Sequence, residues 1–275
     1  LMGLDVTPEQ KAAVDAFNIV IQGGAILAVL GLYFPRVLRM LKGLVGKDAG
    51  GRRLLINLLI AFASAAILGP LLDDWIGARL MNVGAVVAAL ALGGVVMIIL
   101  DRRHIRIHRL ADAPSAQPAG EATGPTPTPP PGRDIDDLTW RHALIIGALQ
   151  CIAMWPGTSR SMMTIVGGVL VGLKPRQAAE FSFLLGLPTL GGACVFKLAK
   201  NLYAAHRDQA PSMIEQIGIA PILIGLVVST ISAALAVRWL VAFLTRHGLE
   251  PFGWYRIALG AILLVLVVSG VVRVA

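Results

Sequence analysis

Apolar residues in this chain come in long runs separated by short polar stretches, the pattern of membrane-crossing helices. Six runs match a hydrocarbon layer of ~30 Å: Ala16–Phe34, Leu54–Leu72, Leu80–Leu100, Phe181–Ala199, Ile219–Val237 and Ile257–Val272. A short acidic turn containing Asp73 and Asp74 is expected between the second and third. Two further runs, Leu144–Trp155 and Ile165–Leu173, are too short to cross alone. Pro156-Gly157 between them breaks the incoming helix and lets the chain turn back. That pattern predicts a re-entrant helical hairpin, which a bilayer tolerates only where it is buried in protein or lines a cavity. The runs are too long and too uniformly apolar for the strands of a β-barrel.

A second regularity is an internal repeat. Leu1-Met2-Gly3-Leu4 precedes Pro8-Glu9-Gln10-Lys11-Ala12-Ala13, then Phe17 and a glycine-containing apolar helix. Leu170-Val171-Gly172-Leu173 precedes Pro175-Arg176-Gln177-Ala178-Ala179, then Phe181 and another such helix. The number of spans between the copies puts them on opposite sides of the membrane, so the expected fold is an all-α polytopic membrane protein, an inverted-repeat helical bundle with re-entrant hairpins and a site near the midplane. In the second copy the hairpin precedes the Leu-x-Gly-Leu element. In the first copy that element begins at residue 1, so the matching hairpin is expected upstream of this sequence, and half of the site with it.

Residues 111–137 are rich in Pro, Ala and Thr, with Thr126-Pro127-Thr128-Pro129-Pro130-Pro131 at their centre. They read as a connector, in preference to an SH3-type ligand. They divide the chain into a first membrane half, 1–110, and a second, 138–275, which carries the hairpin.

Composition agrees. Of 275 residues 56% are hydrophobic and 15% charged, against ~25% charged in soluble domains. The net charge of +8 raises nucleic acid as a partner, but the basic residues sit between apolar runs. The positive-inside rule accounts for them and no nucleic-acid partner is expected. Pro35–Arg53 carries Arg36, Arg39, Lys42, Lys47, Arg52 and Arg53 against Asp48 alone, so this loop is expected in the cytoplasm. Asp73–Arg79 then falls outside and His104–Arg141 inside, with Lys174 and Arg176. Lys200–Gln216 falls outside, Arg246 and His247 inside, and both chain ends outside. The start shows no charged segment followed by an apolar run, so no signal peptide is read there. Cys151 and Cys194 lie in apolar runs and read as packing residues, not a disulfide or metal pair.

The chemistry concentrates in Pro156-Gly157-Thr158-Ser159-Arg160-Ser161-Met162-Met163-Thr164. A guanidinium at membrane depth is costly and marks a functional site. Arg160 has no carboxylate near it in sequence, and its planar fork matches two phosphate oxygens. Thr158, Ser159, Ser161 and Thr164 offer hydroxyl groups, and Ser159 or Ser161 can cap the outgoing helix. The free N–H groups at that helix start favour an anion. The competing account is a serine-capped turn whose Arg snorkels to the interface. The surroundings of Arg160 favour a membrane enzyme acting on a phosphorylated lipid.

The segment resembles the PGxSRSxxT motif of the undecaprenyl-diphosphate phosphatases, the bacitracin-resistance protein family. Gln150 stands where that family often has Gln. Ala178–Leu185, Phe17–Val29 and Tyr255-Arg256-Ile257 are similar to it as well. The resemblance implies hydrolysis of undecaprenyl diphosphate to the monophosphate and inorganic phosphate. That reaction recycles the lipid carrier of peptidoglycan synthesis and confers bacitracin resistance. It implies a multi-pass protein of the bacterial inner membrane, a site open to the periplasm, and a divalent cation, Mg or Ca. Arg160 and Ser159 are the implied catalytic residues. Gly157, Thr158, Ser161, Thr164 and Gln150 are the implied substrate-binding residues. The family's E-x-x-x-E segment and its His-containing turn do not occur here, so the metal ligands are expected outside this sequence. Partners expected are the polyprenyl diphosphate and membrane lipids, with homo-oligomerisation left open. A lipid flippase and a non-catalytic homologue are the alternatives.

Other polar residues receive bland readings. His104 and His108 read as a solvated helix end, and His142, His206 and His247 as isolated span-end residues. Glu180 either complements a helix dipole or reaches the site. Gly23-Gly24 beside Gln22 reads as close helix packing. Asn57 and Arg238 receive no role.

Overall fold

The computed structural model of the chain describes residues 8–112, 134–207 and 218–271. The elements Leu1–Leu4 of the first repeat copy and most of the proline-rich connector lie outside these residues, as do the side chains of His104, His108 and His206. The described residues are helical and contain no strand. In order they form α1 (Pro8–Leu32), α2 (Phe34–Leu44), α3 (Ala49–Leu80), α4 (Val83–Asp112), α5 (Trp140–Ile152), α6 (Arg160–Leu170), α7 (Pro175–Gly186), α8 (Gly192–Arg207), α9 (Ile219–His247) and α10 (Glu250–Val268). A π-helical turn, Leu187–Gly191, joins α7 to α8.

Five stretches are long and apolar enough to cross a membrane: Ala49–Gly69, Val83–Arg103, Pro175–Phe196, Ile219–His247 and Glu250–Val268. A sixth candidate is the bent pair α1–α2, whose arms meet at 82°. The α9 and α10 surfaces carry Ile224, Val228, Trp239, Ile262 and Val265, each more than half exposed. Such a surface is a liability in water and the expected face toward lipid.

Each predicted span falls mostly on helix, but several boundaries need correction: Leu80–Leu100 contains the break at Met81-Asn82, and the helix within Ile257–Val272 ends at Val268. The acidic pair Asp73-Asp74 is not a turn, because α3 runs through it to Leu80. Charged residues do not end a helix; the break comes at Asn82. Its Oδ1 accepts the N–H of Ala85 at 2.8 Å and its Nδ2 donates to the Arg79 carbonyl at 2.9 Å, closing α3 and starting α4. The basic stretch 35–53 is not simply a loop either. Pro35 cannot continue α1, so the chain bends at Tyr33 and restarts as α2 with Pro35 in its first turn. In both repeat copies a proline, Pro8 or Pro175, stands first in the helix, where its missing N–H costs nothing.

The chain forms two compact units. One comprises Leu1–Phe62 with Phe183–Val241, the other Ala63–Ser182 with Ala242–Ala275. In the first, α1 packs on the π-turn and α8. Gly24 meets the Leu226 carbonyl and Ser229 of α9, which bears out the close-packing account of Gly23-Gly24. The Cys194 thiol points at the Ile19 carbonyl at 3.7 Å. In the second unit α4 and α10 lie antiparallel along a glycine seam. A β-carbon on Gly94 would meet the Gly253 carbonyl at 2.6 Å, and one on Gly253 the Gly94 carbonyl at 2.7 Å. Asp101, buried at the far end of this seam, accepts the N–H of Glu250 at 3.2 Å and so caps α10.

Candidate active site

The hairpin lies wholly within the second unit. α5 and α6 pack together where Gly167 lets the Ile146 backbone and Leu149 approach, so a β-carbon there would lie 3.1 Å from Leu149. Gly168 gives the same access to Ala178 of α7. Between α5 and α6 the chain turns through Ala153–Ser159. Gly157 sits at φ +96°, where a side chain is strained, and a β-carbon would lie 3.0 Å from the Val86 carbonyl of α4. Trp155 pins the turn by donating its indole N–H to the Ala85 carbonyl at 3.1 Å.

The turn is also held by an arginine that sequence reading did not place in the site. Arg256 of α10 is 9% exposed and donates through Nη2 to the Gly157 carbonyl at 2.6 Å and to the Ala89 carbonyl at 3.3 Å. Gly93 leaves room for it, since a β-carbon there would lie 2.9 Å from Nη2. Its Nε is buried with no hydrogen-bond partner. The available signal was the one that marked Arg160: a guanidinium inside an apolar run. Ala89 is six residues inside the apolar stretch Val83–Arg103, ~9 Å along the helix. If that stretch crosses the bilayer, the hairpin tip lies at membrane depth.

The predicted site residues do not all face the same way. Arg160 is the first residue of α6 and is half-buried. Ser159 stands before it at φ +66°, the one positive-φ residue other than glycine among the described residues. Such strain collects at functional sites. The expected serine cap is not formed: the Ser159 side chain makes no cap bond, and its backbone, at φ +66° and ψ +120°, is outside the extended conformation a capping residue adopts. Its carbonyl accepts the N–H of Met163 at 3.1 Å, the first backbone bond of α6. Ser161 is half-buried on the first turn.

Thr158 and Thr164 are turned inward. The Thr158 hydroxyl lies 2.7 Å from the Trp155 carbonyl and 3.1 Å from that of Ile152, and its residue is 4% exposed. Thr164 is 1% exposed, with its oxygen 2.6 Å from Ser182 Oγ and 3.1 Å from the Arg160 and Ser161 carbonyls. These two hydroxyls fasten the hairpin to itself and α6 to α7. Gln150, on the last turn of α5, is buried, and its Oε1 has no hydrogen-bond partner. A buried acceptor left open in a polar site calls for a ligand or water.

Two of the histidines make local contacts. His142 accepts the Thr139 N–H at 3.3 Å at the start of α5, and His247 stacks on Phe243 with centroids 4.4 Å apart. Cys151 and Cys194 are both free. Glu180 is half-buried on α7 and Arg238 is exposed on α9, while Asn57 is buried on α3. No three His, Cys, Asp or Glu residues gather among the described residues. The hairpin offers backbone N–H groups, hydroxyls, an amide and guanidiniums. That donor set suits an anion and does not fit a divalent cation, which takes carboxylate oxygens.

Known proteins resemble this chain over most of its length. An undecaprenyl-diphosphatase of Sorangium cellulosum is 42% identical over 93% of this chain and 74% of its own length. Those of Cupriavidus metallidurans and Deinococcus radiodurans are 39% and 38% identical over 93% and 97% of this chain, and 83% and 85% of their own lengths. The family model described as bacitracin resistance protein BacA matches residues 1–262, and the chain belongs to that family.

Proposed function

We propose that this chain is an undecaprenyl-diphosphatase, a membrane hydrolase that releases inorganic phosphate from undecaprenyl diphosphate and leaves the monophosphate for another round of wall synthesis. The observation that carries the reading is the placement of Arg160. It opens a short apolar helix at the helix's positive dipole end, directly after the strained backbone of Ser159. The family match joins that geometry to a chemistry.

In the reaction water adds to the terminal phosphorus, the P–O bond to the bridging oxygen breaks, and the lipid monophosphate leaves with that oxygen. Charge spreads over the equatorial oxygens of the transferred group. The Arg160 fork meets two of them, and the α6 N-terminus stabilises the same charge. Ser159, with its hydroxyl not spent on capping, orients a phosphate oxygen with Ser161. Gln150 Oε1 accepts a hydrogen bond from an O–H of phosphate or water. Gly157 allows the tight turn, and Thr158 and Thr164 hold it in shape. The reading includes a divalent cation, Mg or Ca, bound by groups other than the described residues of the hairpin. It also includes a location in the bacterial inner membrane with the site open to the periplasm. The excess of basic residues in 35–53 supports that orientation. A homo-oligomer is compatible with the exposed apolar faces of α9 and α10.

The test is phosphate release from undecaprenyl diphosphate in vesicles. Arg160→Lys keeps the charge and loses the fork, so a fall of roughly a hundredfold or more is expected. A Lys variant as active as the wild type overturns the assignment. A protein that moves the lipid between leaflets without releasing phosphate is the flippase instead, a reading the family match does not favour.

A further inference from the structure

We propose that α2 lies in the headgroup layer of the bilayer and docks on anionic phospholipid. The helix is built with three distinct faces. Phe34, Leu38, Leu41, Leu44 and Val45 form one apolar stripe, and all five are exposed, Leu44 and Val45 by about two thirds. Met40 and Gly43 form a buried edge. Lys42 lies on the third face, exposed, with Lys47, Arg52 and Arg53 exposed just beyond the helix. An apolar stripe beside a basic one, with low net hydrophobicity, is the pattern of a helix lying in the interface.

Two further observations fix its orientation. The 82° bend at Tyr33 turns α2 nearly perpendicular to the apolar helix α1, so α2 runs along the membrane plane if α1 crosses it. The corner from α2 into α3 is rigid. Gly43 lies against the backbone of Gly51 and Arg52, and Gly51 against that of Arg39 and Met40, too closely for any β-carbon. Asp48 completes the corner, accepting the Gly51 N–H at 2.7 Å and Arg39 Nε at 3.2 Å. The platform therefore holds its angle, with its stripe toward the acyl boundary and its ammonium and guanidinium groups at phosphate level. Charge decides the lipid. Residues 35–53 carry six cations and one carboxylate, and that carboxylate is already engaged by Arg39. Phosphatidylglycerol-type headgroups complement this surface, and zwitterionic ones do not.

The experiment uses the full chain in vesicles. With Cys151 and Cys194 replaced by Ala, a spin label is placed at position 41, 42 or 44 and its depth read from collisions with oxygen and with a water-soluble nickel chelate. Labels at 41 and 44 are expected ~5–10 Å below the phosphates, and the label at 42 in water. In the native-cysteine protein, Lys42→Gln/Lys47→Gln/Arg52→Gln/Arg53→Gln is compared with wild type for its association with spin-labelled phosphatidylglycerol over phosphatidylcholine. The preference should fall by roughly fivefold, the ratio equal to ~1 kcal/mol for a headgroup that meets one basic residue at a time, with the thermal midpoint in phosphatidylcholine unchanged. Labels at 41 and 44 shielded from both quenchers would mean a protein partner covers the stripe. Labels in water or at mid-bilayer, or an unchanged lipid preference, would likewise overturn the proposal.

Discussion

Arg256 Nη2 reaches from α10 to the carbonyl of Gly157 at 2.6 Å and holds the hairpin turn from behind. A charged donor on a carbonyl contributes up to ~1.5–3 kcal/mol, less where the carbonyl is only part-buried as here, and its loss leaves that oxygen without this donor. Arg256→Lys should therefore loosen the tip. Phosphate release is expected to fall through kcat, with the thermal midpoint lowered only modestly. Arg256→Ala should lower both. An Arg256→Lys protein with unchanged kcat would show that the contact does not position the site.

Gly157→Ala tests the turn from the other side. The residue sits at φ +96° and a β-carbon would press on the Val86 carbonyl and on Ala89. A cost of ~1–3 kcal/mol is expected. Thermal unfolding in detergent would read it, and phosphate release should fall with it.

Thr164 and Ser182 form a buried pair, which makes an asymmetric prediction. Thr164→Val leaves the Ser182 hydroxyl stranded, and Ser182→Ala leaves that of Thr164 with carbonyls alone. Each single change should cost ~1–3 kcal/mol, the Thr164 change more, while the double change recovers most of the loss. Phosphate release should follow the same order. A double variant that is stable but inactive would place Thr164 on the substrate instead.

Asp48 gives a pH signature. The Gly51 N–H and the Arg39 guanidinium hold its carboxyl below the usual value of 3.8. A group whose folded value is lowered stabilises the fold above its unfolded value, and that contribution disappears as pH falls through the folded value. Asp48→Ala should thus lower the thermal midpoint at neutral pH, and the gap from wild type should close in strong acid. A gap constant with pH would remove the carboxylate from the account.

Chelation separates reaction from scaffold. If the proposed cation serves the reaction and not the fold, EDTA should stop phosphate release without moving the thermal midpoint. A midpoint lowered by EDTA would reveal a resident metal that holds the fold.

Much of this was legible in the sequence where single residues decide local structure. Pro156 and Gly157 dictate a turn, and the short runs on either side dictate a hairpin. The Asp73-Asp74 turn was misplaced because polarity was read as a break, whereas Asn82 supplies the capping geometry that ends one helix and starts the next. The helix α2 was hidden by its own basic residues, which suit a loop as well as an interfacial helix. The roles of Thr158, Thr164 and Arg256 depend on partners brought together only by folding. Eighteen residues separate Thr164 from Ser182, and ninety-nine separate Gly157 from Arg256, beyond the reach of any local pattern.

The π-helical turn at Leu187–Gly191 changes how its span must be aligned with other proteins. It holds one residue more than an α-helical turn, so everything from Gly192 onward is rotated by ~100° relative to an uninterrupted helix. Pro188 is accommodated inside it, and the Thr189 hydroxyl, 2.8 Å from the Leu185 carbonyl, occupies an acceptor that the widened loop exposes. Removing a single amino acid from this segment would realign the two arms and swing Cys194 away from Ile19. An insertion or deletion here is thus a change of azimuth, not merely of length.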